Sequence, residues 1–79
     1  MRYFFHFHTN TVTTDTEGTV FETGTEARHQ AIRTLGQMMN DSPKGFWDAP
    51  PWKVVVTDER DLVCWEISVD GFAPGSTPA

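Results

Sequence analysis

At 79 residues the chain has room for one domain and not for two. Its net charge of −5, with six scattered cations (Arg2, Arg28, Arg33, Lys44, Lys53 and Arg60), argues against a nucleic-acid partner, because phosphate binding needs clustered Lys and Arg. The single cysteine, Cys64, rules out an intramolecular disulfide and a cysteine-only zinc site, and fits a reduced, cytoplasmic setting.

The aromatic share, 13% with three Trp and six Phe, is high enough to argue for a packed core rather than disorder. A domain of this size buries only about 60% of the surface its unfolded chain exposes, so self-association would be a natural supplement to its stability. No apolar run reaches the length of a membrane span, and the opening residues lack the apolar region and cleavage site of a signal peptide. No membrane partner is expected.

Arg2-Tyr3-Phe4-Phe5-His6-Phe7-His8 reads as the first strand. Side chains alternate across a strand, which puts Tyr3, Phe5 and Phe7 on one face and Phe4, His6 and His8 on the other. The uniformly aromatic set is the core candidate. Residues 9–16 are Thr, Asn and Asp apart from Val12 and read as a hairpin connection; Glu17-Gly18 marks the turn, and Thr19-Val20-Phe21-Glu22 is a short second strand.

Thr23-Gly24-Thr25-Glu26 has capping-box spacing and opens a helix running to about Asn40. Ala27, Ala31, Ile32, Leu35, Met38 and Met39 recur at helical spacing and form its apolar stripe. Gly36 sits within it, where a close approach to the sheet would explain a residue that costs about 1 kcal/mol relative to Ala. Pro43 ends the helix.

Residues 44–51 read as a loop in which Phe46-Trp47 fold back over one end of the core or form a binding loop. Trp52–Thr57 is a third strand by its β-branched content, residues 58–61 a tight hairpin with Asp61 at the left-handed position, and Leu62–Val69 a fourth strand. The fourth strand would turn Val63, Trp65, Ile67 and Val69 to one face and Leu62, Cys64, Glu66 and Ser68 to the other. Residues 1–72 thus form a single domain, and 73–79 a disordered tail.

The expected fold is α+β, in the order ββαββ: a four-stranded, mostly antiparallel sheet with one helix packed on one face. Strand orders 2-1-3-4 and 2-1-4-3 both fit. One helix cannot cover both sheet faces, so the reverse face, with Phe4, His6, His8, Val55, Cys64 and Glu66, is the candidate binding surface.

The opening Arg2-Tyr3-Phe4-Phe5-His6, Glu17-Gly18, the Ala27-Arg28…Ala31 helix, and Trp52…Val54…Val56-Thr57-Asp58-Glu59 together resemble the family of small alphaproteobacterial proteins known as DUF6894, a domain of unknown function. The resemblance runs from residue 2 to about 69, and its most specific part is the N-terminal motif. It implies a bacterial origin and a fold, but no activity and no catalytic residue. Asp61 stands where that family's hairpin usually has Gly, and the Pro43–Pro51 segment is richer in Pro and aromatics than the family pattern.

His6 and His8, two residues apart on one strand face, could both reach one zinc ion; Cys64 and Glu66 would join them if the first and fourth strands were neighbours. The plainer reading is a pair of partly exposed, locally hydrogen-bonded histidines. Cys64 beside either histidine would be the minimum for nucleophilic catalysis, but a strand cysteine in a small domain is more often a buried apolar residue. Asp58, Glu59 and Asp61 read as hairpin and solvation chemistry, with no pocket implied. Aromatics on an open sheet can stack on RNA bases, but Phe4 is the only one placed there and the charge is wrong. The sequence therefore points to a non-enzymatic interaction or self-association module, a homodimer or the ligand of another protein, with a zinc-binding protein using His6 and His8 as the alternative.

Overall fold

A computed structural model of the chain describes residues 1–74; residues 75–79, most of the expected disordered tail, lie outside the described residues. The elements are β1 (Arg2–His8), β2 (Val12–Thr13), β3 (Thr19–Val20), α1 (Gly24–Asp41), α2 (Pro43–Asp48), β4 (Trp52–Thr57) and β5 (Val63–Val69). The sheet runs β2-β1-β4-β5 with every pair antiparallel, and β3 also pairs with β1. This is the expected α+β architecture, with the first of the two strand orders that fitted the sequence.

The aromatic alternation of β1 sets the layer arrangement. Tyr3 and Phe5 are buried and Phe7 packs on them, while Val54 and Val56 of β4 stand opposite Phe7 and Phe5 and are fully buried. Above them lies the small-residue stripe of α1: Ala27 and Ala31 have no exposed surface, and Leu35 is buried. Small side chains here let the helix axis approach the aromatic layer. Trp65 closes the side of this core, its ring 5.4 Å from that of Tyr3, with the Arg28 guanidinium stacked above it at 5.8 Å.

Thr23 caps α1 as its spacing predicts, its Oγ1 accepting the Glu26 N–H at 3.2 Å. Two residues of the expected apolar stripe behave differently. Ile32 is exposed, lying one step beyond the Ala27–Ala31–Leu35 line. Gly36 makes no close approach: a Cβ built there meets nothing within 4 Å.

Residues 44–51, expected as a loop, instead hold a second helix. α2 begins with Pro43 in its first turn, where a missing N–H costs nothing. The expected folding back of its aromatics applies to Phe46, which is buried with its ring 5.8 Å from that of Trp52. Trp47 remains exposed.

The expected faces of the fourth strand hold only from Trp65 onward. Val56 pairs with Trp65 but Thr57 pairs with Val63, so Cys64 is an extra residue and the ladder bulges there. The bulge breaks the period-two alternation. Val63, expected in the core, is consequently 64% exposed, and Cys64, expected to be a buried apolar residue, is exposed as well.

Candidate functional site

The face of the sheet opposite α1 carries five of the six predicted candidates, Phe4, His6, His8, Val55 and Glu66, across two adjoining ladders, while Cys64 is the bulged residue paired in neither. Phe4, His6 and His8 of β1 stand directly opposite Thr57, Val55 and Lys53 of β4, and Val55 stands in turn opposite Glu66 of β5. Phe4, His6, His8 and Val55 are each half-buried, while Cys64 and Glu66 are exposed. The first and last strands are therefore not neighbours: β4 runs between them, so His6 and Glu66 lie two strand spacings, about 10 Å, apart. The four-residue N/S/O ligand set that adjacency would have made does not assemble. Glu66 is held instead by Lys53, Oε1 to Nζ at 3.3 Å.

His6 is fixed on both sides. Its Nδ1 accepts the backbone N–H of Asp15 at 3.2 Å, and its Nε2 lies 2.9 Å from Oγ1 of the buried Thr57. A backbone amide can only donate, so in this geometry Nδ1 is unprotonated and the neutral ring carries its proton on Nε2, donating to Thr57. Neither nitrogen retains a free lone pair for a metal. Among the described residues no three His, Cys, Asp or Glu side chains group to hold an ion.

The segment between β2 and β3 reaches this face through Asp15. The Asp15 carboxylate accepts three amides: Phe5 on Oδ2 at 3.1 Å, and Glu17 and Gly18 on Oδ1 at 3.0 and 2.9 Å. Burial pushes the Asp15 carboxyl up, but those three donors outweigh it, and the net displacement is below the ordinary value of 3.8. Gly18 makes the hook possible. Its φ of 72° is left-handed, and a Cβ there would fall 2.9 Å from both the Tyr3 carbonyl oxygen and the Phe4 ring.

A concavity of about 240 Å³ opens between this hook and the β4–β5 turn. Phe4, His6 and Thr57 form its floor, Thr14 and Asp15 one wall, and Asp58, Glu59 and Asp61 the other. The acidic cluster thus does border a hollow, which the sequence did not imply. Three of its four carboxylates are already committed to the backbone. Besides Asp15, Asp58 accepts Arg60 N–H at 2.8 Å and Leu62 N–H at 3.1 Å, which hold its carboxyl below the ordinary range, and Glu59 accepts Arg2 N–H at 3.0 Å. Asp61 has the expected left-handed φ of 62°. The acids organise two turns first, as the sequence suggested, and only secondarily lend the hollow negative character.

Nucleophilic chemistry finds no support in the placement of Cys64. The thiol is pushed up by partial burial and by Asp58. The nearest strand carrying an imidazole on this face is two ladders away. The residue that sequence reasoning missed is Asp15. Its signal was the Asp-x-x-Gly spacing at 15–18, where a carboxylate bonds amides two and three residues on.

No curated protein and no solved structure matches this chain. A family model does match, over residues 2–70 of the 79. The chain belongs to the family described as a domain of unknown function, DUF6894.

Proposed function

We propose that this DUF6894 chain is a non-enzymatic protein-association module, acting through the sheet surface that α1 leaves uncovered and through the adjoining edge of β5. The observation that carries the reading is the one-sided layering: α1 spends its apolar stripe on a single face, leaving Phe4 and Val55 half-exposed among His6, His8, Lys53 and Glu66. Around the edge, Leu62 and Val63 are more than half exposed, so apolar surface continues from face to edge. Mixed apolar and polar surface of this kind suits a protein partner better than a small-molecule reaction. His6 serves the fold through two hydrogen bonds, and among the described residues Cys64 has no histidine on the strand beside it.

The zinc alternative requires His6 to release one of those two bonds, and Lys53 stands opposite His8 where a cation would have to enter.

The two lysines give a direct test. Lys53 lies on the uncovered face and Lys44 on α2. Amine cross-linking in intact cells followed by peptide mass spectrometry is expected to place inter-protein links, to a second copy or to another polypeptide, at Lys53 in preference to Lys44. Links at Lys44 alone, or none from either lysine to any protein, would contradict the proposal.

A further inference from the structure

The alternation of an antiparallel ladder reveals which backbone groups on the outer edge of β5 have no partner. Phe5 donates its N–H to Asp15, away from β4, and Met1 and Phe21 exchange both of their hydrogen bonds on that same side. The odd residues of β1 therefore face outward, and Phe4, His6 and His8 bond to Thr57, Val55 and Lys53. β4 must then turn Val56, Val54 and Trp52 toward β5, where they meet Trp65, Ile67 and Val69. On β5 this leaves Glu66 and Ser68 aiming N–H and C=O away from the sheet. Cys64, next in the series, is the bulge that ends the regular edge.

From this we infer that β5 is the seam of a two-fold homodimer, in which a second copy of the chain pairs antiparallel with Ile67 on the symmetry axis. The inference rests on the association reading above and specifies its partner and register. With Ile67 on the axis, Glu66 of each copy faces Ser68 of the other. Two such pairs make four hydrogen bonds, and these use all eight of the groups left free on the two edges. The same register sets Ile67 against Ile67 and Trp65 against Val69 on the helix side. All three are only half-buried in the single chain although they pack on its core, so the second copy covers surface that the first cannot.

Registers shifted toward the bulge fail for local reasons. An axis at Glu66 puts two carboxylates directly opposite each other and carries Ser68 onto the bulge. An axis at Trp65 pairs Glu66 with the bulged Cys64 and leaves Ser68 unmatched. Val63–Val69 contains no Pro and no Lys, two of the usual guards of a free edge, and the third, the bulge at Cys64, bounds the paired segment rather than interrupting it. Among the described residues no element is hydrogen-bonded to its outer side.

Single-cysteine cross-linking reads the register. In C64S/I67C the axial pair would bring two Cα atoms about 4.5 Å apart, within disulfide range. In C64S/E66C the two positions are offset by two residues and out of reach. Mild oxidation is expected to convert the first variant to a covalent dimer on a non-reducing gel and to leave the second monomeric. Because I67C touches the core, Ser68→Pro is the second arm. It removes an outward N–H that bonds nothing among the described residues, so the variant should keep its circular dichroism spectrum while its sedimentation mass falls by half. Cross-linking of C64S/E66C but not C64S/I67C would overturn the register. A folded Ser68→Pro variant that remains dimeric would overturn the edge while leaving association through the face intact. A wild-type chain that is strictly monomeric at high micromolar concentration would overturn the homodimer, and Lys53 links to a different polypeptide would then still sustain the association reading.

Discussion

The carboxylate of Asp15 accepts the amide N–H of Phe5 at 3.1 Å and so fills a gap in the outer edge of β1. On that edge β3 pairs with Arg2 and Tyr3, and β2 pairs with Phe7 and His8. Phe5 falls between them, and a side chain completes what the backbone of a longer strand would have supplied. The same residue gives its own N–H to His6. One aspartate thus ties the connection, the strand edge and the uncovered face together.

Asp15→Asn should therefore destabilise the fold although it preserves shape. The amide group would turn an N–H toward an N–H on one side, and the loss is expected at about 1–3 kcal/mol. Urea denaturation of the two proteins measures it. A difference within error would show that solvent replaces the carboxylate at no cost.

Acid sensitivity follows from the direction of the carboxyl shifts. Asp15 and Asp58 both lie below the ordinary value of 3.8 when folded. A carboxylate depressed in the folded state contributes stability that is present above its unfolded value and lost as pH falls through its folded value. The contribution of these two carboxylates is expected to be constant above about pH 5, and the denaturation midpoint to fall steeply below about pH 4 as it is lost. Asp15→Asn should show a shallower fall, with Asp58 supplying part of what remains.

The two glycines of opposite surroundings make a paired prediction. Gly36→Ala on the open side of α1 should stabilise by about 0.5–1 kcal/mol, since the new methyl meets nothing and the helix gains propensity. Gly18→Ala should destabilise by about 1–3 kcal/mol, combining a left-handed backbone with a clash against the Tyr3 carbonyl. Thermal melts of both variants check the two signs at once.

Zinc addition followed by imidazole nitrogen NMR tests the metal alternative. With both nitrogens of His6 engaged, its resonances are expected to stay in place through the titration. Coordinated movement of His6 and His8 at stoichiometric zinc would establish the metal reading instead.

Much of this fold was legible because it rests on short-range periodicity. Tyr3, Phe5 and Phe7 announce the core face of β1, Thr23 announces the start of α1, and Asp61 announces the left-handed turn. What escaped depended on irregularity. α2 was hidden because Pro43 and Pro50-Pro51 punctuate a helix of six residues, too short to display a period. Val63 was misplaced because one extra residue at Cys64 inverts the alternation on its N-terminal side. The candidate surface was half legible: Phe4, His6, His8 and Val55 do share a face with Glu66. The commitment of His6 was not, because its partners lie 9 and 51 residues away, in the connection between β2 and β3 and at the end of β4.

The central claim, a homodimer seamed along the outer edge of β5, is tested most directly by sedimentation equilibrium of the wild-type chain beside Ser68→Pro across the micromolar range. The account predicts a reversible dimer for the first and a folded monomer for the second. Equal masses for the two folded proteins would contradict it.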